Sequence, residues 1–244
     1  MPETLGCTSD AFQFDANEAM KTGFYVSGTT GCGKSDIAMY CLDAIAKLGV
    51  TCFTFDPTQD WIQRYHFPRV TFKVFNSSAP IRNDLSSVIL SDTVFDISNL
   101  TILQTQEVAE TFSEMLYRRQ ASISPERRRR YFVLFEEASN IFPQGSLRAK
   151  ALQNVVRLLT QGRNYGIRMG LVTQFAAMLD KNALRYCRQR YFGWTDEYND
   201  YKYLKNFLGD DAEQLKYLEA GEFLYYYPTK GAPQKIRIEP YASP

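Results

Sequence analysis

The chain has 244 residues, of which 45% are hydrophobic and 23% charged, and its 28 Lys and Arg against 27 Asp and Glu leave a net charge of +1. That composition rules out a disordered chain, a coiled coil and a collagen-like repeat, and a chain this long buries enough surface to need no disulfide or metal staple. Five scattered cysteines without a CxxC pair, together with the single histidine His66, argue against a zinc site and a Ser-His-Asp triad and suggest a reducing, cytoplasmic setting.

Residues 1–20 show no clear period and read as a lead-in. They lack the basic-then-apolar pattern of a signal peptide, and no run of about 18 apolar residues is present to span a membrane. Residues 24–26 form a short apolar, β-prone run ending in a glycine cluster. A helix is predicted from Lys34, with Ile37, Cys41, Ile45 and Leu48 on one stripe and Gly49 as its stop. A second strand is predicted over 51–55, closed by Asp56-Pro57, and a third β region over 87–97, broken near Ser91-Asp92. A helix over 106–119 places Val108, Phe112, Met115 and Leu116 together, and the polar stretch 121–130 reads as a surface loop. Residues 131–135 are a compact apolar strand, 147–160 a helix with Leu152, Val155, Val156 and Leu159 on one face, and 169–173 another strand. From Tyr191 onward, short strands at 223–227 and 235–238 accompany a helical piece near 212–218. Strands alternating with helices imply an α/β fold: a mostly parallel sheet with helices on both faces. No Gly/Ser/Pro-rich linker divides the chain, so it is expected to be one domain over 1–244, completed by residues 191–244.

Between the first strand and first helix stands Gly28-Thr29-Thr30-Gly31-Cys32-Gly33-Lys34-Ser35, which fits the P-loop pattern G-x-x-x-x-G-K-[ST]. Glycines let backbone N–H groups turn inward around a phosphate, and the helix opening at Lys34 aims its positive end at the same point. Lys34 is placed to reach the β- and γ-phosphates of ATP, and the Ser35 hydroxyl to ligate Mg²⁺. Cys32 occupies a variable position and reads as a small filler rather than a reactive thiol. The strand at 131–135 runs straight into Glu136-Glu137, the form of a Walker B segment. The first acid would hold Mg²⁺ and the second would polarise the attacking water. An aspartate is commoner at the first position, and Glu136 is one methylene longer. There is no NKxD guanine-reading motif and no LSGGQ signature, which sets aside GTPase and ABC-transporter readings.

Four blocks in order resemble one family: Gly28 to Ser35; Phe55-Asp56-Pro57 with Asp60; Phe135-Glu136-Glu137-Ala138; and Gln161-Gly162-Arg163-Asn164-Tyr165-Gly166-Ile167 followed by Leu171-Val172-Thr173-Gln174. Together they look like the HerA/FtsK superfamily of DNA-pumping ATPases, which includes viral genome-packaging ATPases. The match runs over about residues 22–225. The resemblance implies a RecA-like (ASCE) P-loop NTPase in which the Gln174 strand lies between the P-loop strand and the Glu136 strand. It also implies that Gln174 touches the γ-phosphate or attacking water, and that the chain works as a homo-oligomeric ring, a hexamer by family habit. A basic residue from one subunit would complete the neighbour's site; Arg163 is the expected trans finger, with Arg168 and Arg157 as reserves. Phe175-Ala176 replaces the Arg-Pro that many members carry after the glutamine, which removes any role of that arginine.

The absence of an added N-terminal barrel or membrane anchor suggests a bare packaging motor, in the host cytoplasm or associated with the virion. A HerA-like DNA-processing or plasmid-transfer ATPase and a nucleotide-dependent regulator that moves no DNA are the alternatives. From 127 to 190 there are 13 Lys and Arg against three acids, whereas 191–224 holds three Lys and eight acids. A basic region can grip double-stranded DNA without reading its sequence, and Arg127 to Arg130 is the candidate loop. The acidic tail region would suit a neighbour's basic side in a head-to-tail ring. A capsid or nuclease is a further expected partner. Trp61 reads as helix packing, with base stacking as the alternative.

Overall fold

The computed structural model describes residues 14–66, 68–74, 77–145 and 152–242. Its strands are β1 (Phe24–Ser27), β2 (Thr51–Asp56), β3 (Val70–Lys73), β4 (Thr93–Asp96), β5 (Tyr131–Phe135), β6 (Ile167–Thr173), β7 (Gln189–Gly193), β8 (Glu222–Tyr226) and β9 (Gln234–Arg237). They form one sheet of nine strands in the order β3-β4-β2-β5-β6-β1-β7-β8-β9. All pairings from β3 to β7 are parallel, and β8 and β9 close the far side antiparallel. The helices are α1 (Ala16–Thr22), α2 (Lys34–Ala46), α3 (Asp60–Arg64), α4 (Ala79–Val88), α5 (Ile102–Ala121), α6 (Ala138–Ile141), α7 (Gln153–Gln161) and α8 (Tyr198–Leu208).

The central strands are apolar runs because both of their faces are covered. Along β5, Tyr131, Val133 and Phe135 enter the core shared with α4, α5, α7 and α8, while Phe132 and Leu134 enter the core shared with α1, α2 and α3. On the first face the rings of Phe53, Phe55, Phe95, Phe112, Tyr131 and Phe135 meet at centroid separations from 4.7 to 6.2 Å, the offset and edge contacts that aromatic cores favour. The expected α/β sheet with helices on both faces is therefore present, and β6 lies between β1 and β5.

Three expectations need correction. The β region expected over 87–97 is the end of α4 followed by β4, because Ile81, Leu85 and Val88 recur at helical spacing and are buried together. The helical piece expected near 212–218 is a 3₁₀ segment, Gly209–Tyr217. The lead-in contains α1, whose Asp15 side chain accepts from the Glu18 amide at 2.9 Å as an N-cap. Residues 1–13 of that lead-in, and 147–151 of the expected helix over 147–160, lie outside the described residues.

Candidate nucleotide site

In a parallel sheet the loops leaving the C-terminal ends of the strands share one edge, the usual place for a ligand in such folds. The P-loop leaves β1, Glu136 and Glu137 leave β5, and Gln174 leaves β6. Thr30, Gly31, Gly33, Lys34, Ser35, Glu136, Glu137 and Gln174 line one cleft of about 420 Å³, joined from the β2 side by Pro57, Thr58, Asp60 and Arg64. Of the sequence-predicted groups, Gly28, Thr29 and Cys32 belong to the same loop without lining the cleft, and Arg163 lies away from it.

The loop is held in shape by its surroundings. The Thr29 amide donates to the Trp194 carbonyl at 2.8 Å, and the Gly221 amide donates to the Cys32 carbonyl at 3.0 Å. Gly28 has φ +150°, and a Cβ there would meet Cys32 Sγ at 2.7 Å and the Gly193 backbone at 3.1 Å. Cys32 is buried in that contact and burial pushes its thiol up, as a filler would be. Lys34 Nζ donates to the Thr29 carbonyl at 3.1 Å, folded over the loop where a phosphate oxygen would take that bond.

Glu137 has φ 48° and ψ 50°, a left-handed backbone that a non-glycine residue adopts at a cost. That turn lets two consecutive acids leave β5 in different directions. Glu136 is buried, and its Oε1 accepts from the Trp61 indole N–H at 2.7 Å. Burial pushes its pKa up to about 8; the Trp61 hydrogen bond opposes that, the charges of Glu137 and Asp56 add to it, and Lys34 opposes it.

Asp56, fully buried at the end of β2, organises the loop opposite. It accepts from the Thr58 amide (3.1 Å), the Thr58 hydroxyl (3.3 Å), the Trp61 amide (3.0 Å) and the Ile62 amide (3.2 Å). Burial raises its pKa and those hydrogen bonds pull the other way. On α3, Arg64 pairs with Asp60 at 3.1 Å and with Asp36, the residue after Ser35. Sequence reasoning missed Arg64 and Asp36 as cleft residues, and for Trp61 it weighed helix packing and base stacking but not a hydrogen bond to Glu136. The signal available was the short interval between Asp56 and Arg64, which brings α3 back over the P-loop.

Among the described residues no group of three or more His, Cys, Asp or Glu could hold a metal by itself. Ser35 and Glu136 line the same cleft, one hydroxyl and one carboxylate. That sparse oxygen set fits Mg²⁺, which keeps waters and takes further ligands from substrate phosphates.

Arg163 is exposed on a 3₁₀ turn (Gly162–Tyr165) before β6, at the opposite end of that strand from Gln174. Seven residues at about 3.3 Å each put roughly 20 Å between them. Arg168 is buried within β6, where burial lowers its pKa to about 10. Arg157 lies over the Tyr117 ring at 3.9 Å. In the basic run, Arg128 donates to the carbonyls of Gln120 (3.0 Å), Ile123 (3.1 Å) and Asn164 (2.8 Å), and Arg130 donates to that of Leu48. Those two hold the loop, leaving Arg127 and Arg129 exposed beside them.

No family model matches the chain. A "Probable helicase" of Methanocaldococcus jannaschii is 28% identical over 114 residues, 45% of this chain, and the chain covers 22% of that protein's length. Protein P9 of Pseudoalteromonas phage PM2 is 24% identical over 195 residues, 80% of this chain and 78% of P9. The genome packaging NTPase B204 of Sulfolobus turreted icosahedral virus 2, solved with ATPγS, matches with a TM-score of 0.62 at 15% identity, over 88% of this chain and 96% of B204. The bacterial conjugative coupling protein TrwB matches with a TM-score of 0.69 at 9% identity, over 100% of this chain and 91% of the TrwB chain. Among the described residues no helix is long and apolar enough to cross a membrane.

Proposed function

We propose that this chain, which has the RecA-like fold of P-loop ATPases of the HerA/FtsK kind, is an ATP-hydrolysing motor that moves double-stranded DNA as a ring of identical subunits and packages a viral genome. The observation that carries the reading is the convergence of Lys34, Ser35, Glu136, Glu137 and Gln174 on one cleft. Lys34 exchanges its bond to Thr29 for the β- and γ-phosphates. Ser35 and Glu136 are the residues that would hold Mg²⁺, which when bound neutralises phosphate charge. Glu137 accepts the proton of the attacking water as the bond from the γ-phosphorus to ADP breaks, and Gln174 orients that water. Arg163, about one strand length from its own cleft, serves the neighbour's site instead.

Support for DNA as cargo comes from the fold likeness to a genome packaging NTPase and a conjugative coupling protein. The likeness to B204, together with the match over 80% of this chain to a phage protein, P9, supports packaging. The TrwB match favours DNA transfer as the second reading. ATP turnover measured with and without long duplex DNA tests the proposal. The expected result is stimulation by duplex. Equal turnover in both conditions would overturn the motor and favour a nucleotide-dependent switch.

A further inference from the structure

Glu136 brings an extra methylene, and hence an extra torsion, to a strand end where an aspartate is commoner. A flexible buried carboxylate needs a fixed donor if it is to face a ligand in one geometry. Trp61 is that donor. Its side chain is fully buried and packs edge-on against Tyr65 at 5.0 Å between ring centroids. Its amide donates to Asp56 Oδ2 at 3.0 Å, and its carbonyl accepts from the Arg69 guanidinium. The main chain of Trp61 is thus held by Asp56 and Arg69 and its ring by Tyr65 and burial, and its N–H meets Glu136 Oε1 at 2.7 Å. The Glu136 amide also donates to the Phe55 carbonyl at 3.3 Å, which joins the ends of β5 and β2. With Oε1 engaged by the indole, Oε2 is the oxygen left for the cleft. The same short helix reaches the P-loop side through Arg64 and Asp36.

We propose that Trp61 is a positioning residue for the magnesium–nucleotide complex, its indole N–H fixing one oxygen of Glu136 so that the other is presented to the metal beside Ser35. The proposal rests on the ATPase reading above and adds to it the device that lets a glutamate do this work. Trp61→Phe keeps an aromatic ring against Tyr65 and deletes the N–H. Binding of Mn²⁺ to the protein–AMPPNP complex, followed by electron paramagnetic resonance, should weaken roughly 10- to 100-fold, the range seen when partners of metal ligands are removed. AMPPNP binding in EDTA should stay within about twofold, a split that mere loss of packing would not give. In a Glu136→Asp background, where the extra torsion is gone, Trp61→Phe should have little effect on Mn²⁺ affinity, so the two substitutions are coupled.

Equal Mn²⁺ affinity in wild type and Trp61→Phe, with AMPPNP bound in both, overturns the proposal and leaves the ATPase reading standing. A wild-type protein that binds neither AMPPNP nor Mn²⁺ overturns both. Should Trp61→Phe fail to fold, Trp194→Phe makes Trp61 the sole indole, since the chain has two tryptophans. Adding Mg²⁺ to its AMPPNP complex should then shift Trp61 emission, and an unchanged spectrum with Mg²⁺ bound contradicts the proposal.

Discussion

Glu136 carries the sharpest electrostatic contrast at the site. Its carboxyl is buried against an indole N–H and two other acids, and burial pushes its pKa from 4.5 up to about 8. In the unfolded chain it returns to the ordinary value. The folded state therefore binds the proton more tightly, and the stability this lends is complete below about pH 4.5. It is lost as pH rises through about 8, because the unfolded chain ionises first. Glu136→Gln cannot ionise and keeps an acceptor for Trp61. In metal-free protein the melting temperature of this variant should gain on wild type as pH rises from 4.5 to 8. A gap that stays constant over that interval would show that Glu136 is ionised in the apo fold.

At the scale of elements, the central strands were legible because burial on both faces writes itself as an apolar run, and α2 because a helical stripe follows the P-loop pattern. β3 was not legible. It is an edge strand with Val70, Thr71 and Lys73 exposed, so no core pattern marks it. β7, with the sequence of Gln189–Gly193, mixes polar residues into a buried strand, and its place beside β1 is set by tertiary packing. The boundary between α4 and β4 was legible in principle from Ile81, Leu85 and Val88, but the Ser-rich residues 86–87 hide it. At the site, the P-loop and the two acids were readable as spacing. The Trp61–Glu136 bond was not, because it joins residues 75 positions apart. Gly170, at the middle of β6, shows how closely this layer is packed. A Cβ there would meet Leu134 Cδ1 at 2.7 Å and the rings of Phe132 and Phe24 at 2.9 Å. Gly170→Ala should lower unfolding free energy by about 1–3 kcal/mol through overpacking, measured by denaturant titration. No loss would mean that these rings have room to yield.

For the whole molecule, the parallel sheet separates two kinds of chemistry. The nucleotide cleft occupies the edge where β1, β5 and β6 end, and Arg127 to Arg130 and Arg163 gather where β5 and β6 begin. With Arg163 about 20 Å from its own cleft, its proposed role in hydrolysis requires a second copy of the chain. The acids of α8 and the following 3₁₀ segment, Asp200, Asp210, Asp211 and Glu213 among them, lie on a different part of the chain from the arginines. Mixing two inactive variants separates a shared site from a self-contained one. Arg163→Ala and Glu137→Gln subunits should each hydrolyse ATP slowly alone, yet regain turnover when combined, because some junctions then pair an intact Glu137 with an intact Arg163. Absence of any recovery at every mixing ratio, with the two variants shown to co-assemble, would contradict a site completed by its neighbour.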